Sequence, residues 1–207
     1  MFDVVVVGGG PSGATAAEDL ARSGHKVALL DREGRIKPCG GAIPPRLMAD
    51  FHVTEDQLVA KVSTARMISP TGRQVDIPIE NGFVGMVDRK DFDPFLRACA
   101  VAAGATPFTG TFIRIDRENG TRVVYRDKAT GEERSLETKL IIGADGARSR
   151  VGRAEVPGGD TIPYVLAYHE IIKAPPASAT YDPVRCDVIY DGKISPDFYG
   201  WGFPHGD

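Results

Sequence analysis

The chain has 207 residues, enough for one good core and the opening of a second domain. Its 42% hydrophobic and 26% charged content is that of an ordinary globular protein, and a net charge of −3 gives no electrostatic case for nucleic acid as a partner. Cys39, Cys99 and Cys186 are an odd count without metal-ligand spacing, which points to a reducing compartment and to no metal site, and no apolar stretch approaches the ~18 residues that span a bilayer.

Phe2 to Val7 is a short apolar run with four consecutive valines, the pattern of a buried parallel strand. It opens within a residue or two of Met1, so no cleaved leader is expected. Gly8-x-Gly10-x-x-Gly13 follows at once, then a helical stretch from Ala14 to Ala21 with Ala16, Ala17 and Leu20 as its apolar face. A second strand, Lys26 to Leu30, ends in Asp31. Strand, glycine turn, helix, strand and acid is the order of a dinucleotide-binding fingerprint. Gly8 permits the tight turn, Gly10 lets a pyrophosphate approach the backbone, and Gly13 lets the helix pack close to the sheet. The helix N-terminus presents N–H groups to the phosphates. Asp31 stands where a carboxylate accepts ribose hydroxyl bonds, which favours NAD or FAD over a nucleotide with a 2′-phosphate without separating the two.

Residues 36–60 read as a Pro/Gly-bearing loop with short helical pieces. Val62 to Ile68, Val75 to Ile79 and Phe83 to Val87 alternate like antiparallel strands. Arg89 to Ala103 is helical in pattern, with Phe92, Phe95, Leu96, Cys99 and Ala100 on one face. Phe112 to Asp116 and Thr121 to Tyr125 read as a β-meander, and Leu140 to Ile142 as a buried strand of the first sheet. Tyr164 to Ile172, Arg185 to Tyr190 and Phe198 to Phe203 are β-rich and aromatic. The expected division is a nucleotide-binding domain over 1–155, with its meander at about 105–137, and the beginning of a β-rich substrate domain over 156–207. The sequence stops just after a candidate strand, which suggests the N-terminal part of a longer protein.

A second motif, Gly143-Ala144-Asp145-Gly146-Ala147-Arg148-Ser149, leaves Asp145 at the C-terminal edge of a strand, where ligands of open α/β sheets gather. A plain turn-forming Asp-Gly reads equally well from the residues alone. Cys39 sits in a Gly/Pro loop rather than on an apolar face, and Gly40-Gly41 suggests backbone close to a flat ligand. A small buried hydrophobe is the ordinary role of a free cysteine. Tyr199, Trp201 and Phe203 alternate, so on a strand they share one face, either of a sheet core or of a substrate channel. His25, His52, His169 and His205 form no pattern, and each reads as structural.

Four stretches together carry a family resemblance: the fingerprint continuing into Ala14-Thr15-Ala16-Ala17-Glu18-Asp19-Leu20-Ala21, the loop Lys37-Pro38-Cys39-Gly40-Gly41-Ala42-Ile43-Pro44, Gly85-Met86-Val87-Asp88-Arg89 before the long helix, and Asp197-Phe198-Tyr199-Gly200-Trp201-Gly202-Phe203-Pro204. In these the chain resembles the geranylgeranyl reductases, and most closely the purple-bacterial branch acting on geranylgeranyl bacteriochlorophyll. These belong to the flavoprotein class that includes aromatic hydroxylases. The resemblance covers essentially the whole sequence. The main departure is the absence of the further Gly-Asp flavin motif that such proteins carry; Gly206-Asp207 follows Phe203-Pro204-His205 and is not that motif.

The resemblance implies an α/β, Rossmann-like FAD-binding domain of the aromatic-hydroxylase type, with a tightly held FAD and NADPH as electron donor. Gly8, Gly10, Gly13 and Asp31 would hold the ADP half. Arg89 would lie near the cofactor, where a guanidinium forks onto phosphate; otherwise it is a helix-start arginine on the surface. Asp145 and Gly146 would touch flavin ribose or pyrophosphate, or the incoming NADPH. The Cys39-Gly40-Gly41 loop would border the active site, with Cys39 as a proton donor, and Tyr199, Trp201 and Phe203 would line a polyisoprenoid channel. The implied substrates are geranylgeranyl bacteriochlorophyll or geranylgeranyl diphosphate, with the protein cytoplasmic or peripheral on the photosynthetic membrane. A flavin hydroxylase of the same fold and a non-catalytic FAD- or prenyl-binding module are the rival expectations.

Overall fold

The computed structural model describes residues 1–34, 36–80, 82–178 and 180–206. In chain order β1 (Phe2–Val7), α1 (Pro11–Arg22) and β2 (Val27–Asp31) come first. They are followed by β3 (Ala42–Ile43), α2 (Pro45–Asp50), a 3-10 turn (Glu55–Gln57), β4 (Ala60–Val62), β5 (Thr64–Ile68), β6 (Gln74–Pro78) and β7 (Val84–Met86). Then come α3 (Arg89–Ala102), β8 (Thr106–Asp116), β9 (Arg122–Asp127), β10 (Glu133–Gly143), α4 (Arg150–Glu155), β11 (Arg185–Ile189) and β12 (Gly200–Gly202).

Packing divides the chain into two units, Met1–Ile36 with Asp93–Tyr164 and Lys37–Phe92 with Val165–Asp207. A single cut near residue 155 does not follow this packing, because β11 pairs in parallel with β5 and so draws the later residues to the earlier ones.

In the first unit β1 lies between β2 and β10, with both pairings parallel, and β2 pairs in parallel with the first residues of β8. From Gly110 onward β8 leaves β2 and pairs antiparallel with β9, which pairs antiparallel with the first half of β10. The two longest strands thus each serve both the parallel sheet and the expected meander, and the hydrogen-bonded order closes on itself. Alternation along β1 explains its valines. Val4 and Val6 pack with Val27, Leu29, Ala17, Ala100 and Ala105 on the helix side. Val5 and Val7 pack with Ala28, Leu30, Phe112, Val123, Tyr125 and Leu136 on the meander side. Residues 4–7 of β1, covered on both faces, leave no position for a polar residue.

The second unit holds a four-stranded sheet, β12-β11-β5-β6, and a three-stranded sheet, β3-β7-β4. Val62, Met86 and Cys186 form one core cluster of this unit, with Phe203 packed against them.

Five expectations need correction. Tyr164 to Ile172 forms no regular strand, and Leu166 and Tyr168 are 85% and 81% exposed, because none of the described strands pairs with that segment. The strand within Phe198 to Phe203 is only Gly200–Gly202. Leu140 lies in the parallel sheet but its side chain is exposed, and Phe95 on α3 is 36% exposed rather than buried. The helix after the glycine turn starts earlier than expected, at Pro11, since proline suits a first helical position where no N–H bond is needed.

Candidate functional site

The glycine turn is held at one end by the sheet and at the other by the helix it opens. Gly8 N–H donates to the Leu30 carbonyl at 2.8 Å, and Ala14 N–H donates to the Gly10 carbonyl at 2.9 Å to start α1. Gly8 has φ +105, a left-handed conformation that a side chain would strain. A Cβ there would also run into the Ala144 carbonyl and come within 2.9 Å of the Asp145 Cα. The two glycine motifs of the sequence are therefore back to back. The cause is the sheet register, which sets Val7 beside Gly143, with Ala144 N–H donating to the Val7 carbonyl at 2.8 Å.

Gly10 and Gly13 differ in what surrounds them. A Cβ on Gly13 would collide with the Gly8 carbonyl, whereas a Cβ on Gly10 would have nothing within 4 Å. Gly13 is thus fixed by packing of the chain on itself, and Gly10 borders open space. Gly10 is the N-cap of α1, and no side chain caps it. The first-turn N–H groups of a twelve-residue helix are left to an outside acceptor. This cradle fits a pyrophosphate. At its side, Asp31 accepts the Gly9 N–H on Oδ2 at 2.7 Å and the Glu33 N–H on Oδ1 at 2.8 Å.

Asp145 is turned to its own chain. Its Oδ1 accepts the Ser149 hydroxyl, and its Oδ2 accepts the N–H groups of Arg150 at 2.6 Å and Val151 at 3.3 Å. Ser149 in turn accepts the Gly152 N–H at 2.7 Å as the N-cap of α4. The carboxylate thus organises the start of α4, while Gly146, at φ +88, has open space beside it. Ser149 closes the second glycine motif, and its position three residues before a helical N–H is a capping signal that the motif reading does not use.

The remaining expected residues lie in the second unit. Cys39 is half-buried. Gly40 faces the chain's own aromatics: a Cβ there would be 2.6 Å from the Phe203 ring and 3.3 Å from Trp201 Nε1. Gly41 is tied to the strand edge, its carbonyl accepting the Val87 N–H at 2.9 Å. The reading of this Gly-Gly pair as backbone kept clear for a flat ligand is therefore matched by a second cause within the chain. Trp201 meets Tyr199 edge-on at 6.3 Å between centroids, and His169 stacks on Trp201 at 6.1 Å. Phe203 instead packs against the core. Arg89 is the first residue of α3, where Asp88 supplies the turn by accepting the Lys90 N–H at 2.8 Å. That end of a helix favours anions. Burial pushes the Cys186 thiol up to about 12, and it also raises Cys99. Among the described residues no cluster of His, Cys, Asp and Glu could hold a metal ion.

Sequence comparison matches residues 1–179 to the family described as FAD binding domain. The chain belongs to this FAD-binding domain family. The chain is 68% identical over 206 residues to the geranylgeranyl diphosphate reductase of Rhodobacter capsulatus, covering 99% of this chain and 52% of that protein. It is 40% identical to the chloroplastic geranylgeranyl diphosphate reductase of Oryza sativa subsp. japonica, over 99% of this chain and 47% of that one. Among solved structures it is similar to a geranylgeranyl bacteriochlorophyll reductase-like protein from Thermoplasma acidophilum, with a TM-score of 0.81 at 27% identity, covering 99% of this chain and 54% of the other. The chain thus spans about half the length of the relatives it matches. The resemblance to the geranylgeranyl reductases and the Rossmann-like flavoprotein fold expected from the sequence are both borne out.

Proposed function

We propose that this chain is the FAD-binding portion of an NADPH-driven reductase that converts geranylgeranyl groups to phytyl in bacteriochlorophyll synthesis, acting on the pigment-bound chain or on the free diphosphate. The observation that carries the reading is the cradle at Gly10, open to solvent at an uncapped helix end with Asp31 beside it, in a chain 68% identical to a geranylgeranyl diphosphate reductase. Bound flavin would supply the two-electron reduction of an isolated alkene. The N–H groups of α1 would hold the pyrophosphate, and Asp31 the adenosine ribose. Gly146 would admit the cofactor at its open side, and Arg89 would favour phosphate at the start of α3. Tyr199 and Trp201 would lie along the prenyl chain and keep water from it. Cys39, in the half-buried loop before Gly40, would hold the proton that the second alkene carbon needs. No helix among the described residues is long and apolar enough to cross a membrane, so any attachment to the photosynthetic membrane by such a helix would come from elsewhere, and peripheral contact through a greasy substrate is part of this reading.

The complete open reading frame, incubated without oxygen with FAD, NADPH and geranylgeranyl bacteriochlorophyll, should give products gaining two hydrogens at a time up to six. No change in mass from a protein with bound, reducible FAD would overturn the substrate assignment.

A further inference from the structure

Arg97 belongs to no motif, yet its side chain reaches the glycine turn. Its Nη1 donates to the Gly9 carbonyl at 3.1 Å and stands 4.0 Å from Asp31 Oδ1. Gly9 is not one of the three fingerprint glycines, but a Cβ there would come within 2.7 Å of Arg97 Cδ and 2.8 Å of Asp31 Cβ. Two side chains thus close on the Gly9 peptide, one bonded to its carbonyl and the other to its N–H. Both are mostly withdrawn from solvent, each side chain being 21% exposed.

We propose that Arg97 is a positioning residue for the cofactor: it fixes the Gly9 peptide, and through it the Asp31 carboxylate, in the arrangement that receives the adenosine ribose. This inference deepens the FAD-binding reading above and rests on it. The geometry gives Arg97 a role that a direct ion pair would not have. Its hydrogen bond goes to the Gly9 carbonyl and not to Asp31, so the acceptor capacity of the carboxylate is not consumed. Each Asp31 oxygen takes one backbone N–H, which leaves a lone pair on each for ribose hydroxyls. The guanidinium charge stays close enough to offset the loss of water around the carboxylate when an adenosine covers it. A guanidinium bonded to Asp31 itself would compete with the ribose. One bonded to the neighbouring peptide aims the carboxylate and leaves it available.

The test is a double-mutant cycle on FAD affinity in the complete protein, read by flavin fluorescence quenching. Arg97→Met keeps the length of the stem and removes the donors and the charge. It should raise the dissociation constant about tenfold, the scale of one hydrogen bond to a charged group. In an Asp31→Asn background the same change should cost roughly twofold or less, because the residue through which Arg97 acts has lost its charge. Arg97→Lys should recover most of the affinity. A purely structural role would weaken binding equally in both backgrounds and would track the urea unfolding midpoint of the cofactor-free variants. Equal losses, or no loss in Arg97→Met, would overturn the proposal alone. A native protein that binds no FAD would overturn both it and the reading beneath it.

Discussion

Gly10 and Gly13 are identical residues three apart with opposite reasons for being glycine, and substitution should separate them. The space beside Gly10 is empty, so Gly10→Ala should lower stability by less than about 1 kcal/mol, the cost of a poorer helix cap. It should nevertheless weaken FAD binding strongly, since the methyl group occupies the approach to α1. Gly13→Ala drives a methyl group into the Gly8 carbonyl, which is backbone and cannot turn aside. A destabilisation of about 2–3 kcal/mol by urea unfolding is expected, with binding lost alongside. Equal stability of the two variants would mean that the cradle is not shaped as described. The sequence made these two glycines legible, because the fingerprint fixes their spacing. It left Arg97 unread, since its contact with Gly9 exists only once α3 lies against the end of β2, and nothing local to residue 97 announces that.

At the scale of elements, α4 shows how a motif read as ligand-binding also builds structure. Asp145 accepts the Ser149 hydroxyl and the N–H groups of Arg150 and Val151, and so satisfies donors that a short helix cannot satisfy itself. Asp145→Ala should lower stability by about 1–3 kcal/mol, measured in the cofactor-free chain, and Asp145→Asn by less because one acceptor oxygen remains. A substitution without effect on the unfolding midpoint would assign the carboxylate to ligand alone. The first βαβ unit and the meander could be read from the sequence because both depend on near neighbours and on alternation. The pairing of β11 with β5 could not: it joins segments more than a hundred residues apart, and alternation does not say which strand a strand will choose. The same limit misassigned Tyr164 to Ile172, whose apolar residues suit a strand but find no partner among the described ones.

Across the molecule, protection should follow this contrast. Amide hydrogen exchange should be slowest in β1 and β2, which are buried on both faces, and fastest in residues 163–173, which carry exposed apolar side chains and no ladder. Protection of 163–173 equal to that of β1 would show pairing that this fold does not provide. Asp3 and Lys139, linked at 2.7 Å, are 136 residues apart, and that distance along the chain carries a consequence for biogenesis. The strand that backs the first glycine turn, β10, is among the later parts of the first unit to be translated. Until β10 has left the ribosome, β1 has one neighbour and the Gly8 turn has no wall behind it. A nascent chain that displays the whole fingerprint but not yet β10 should therefore hold no nucleotide, and acquisition of the cofactor should wait for the emergence of β10.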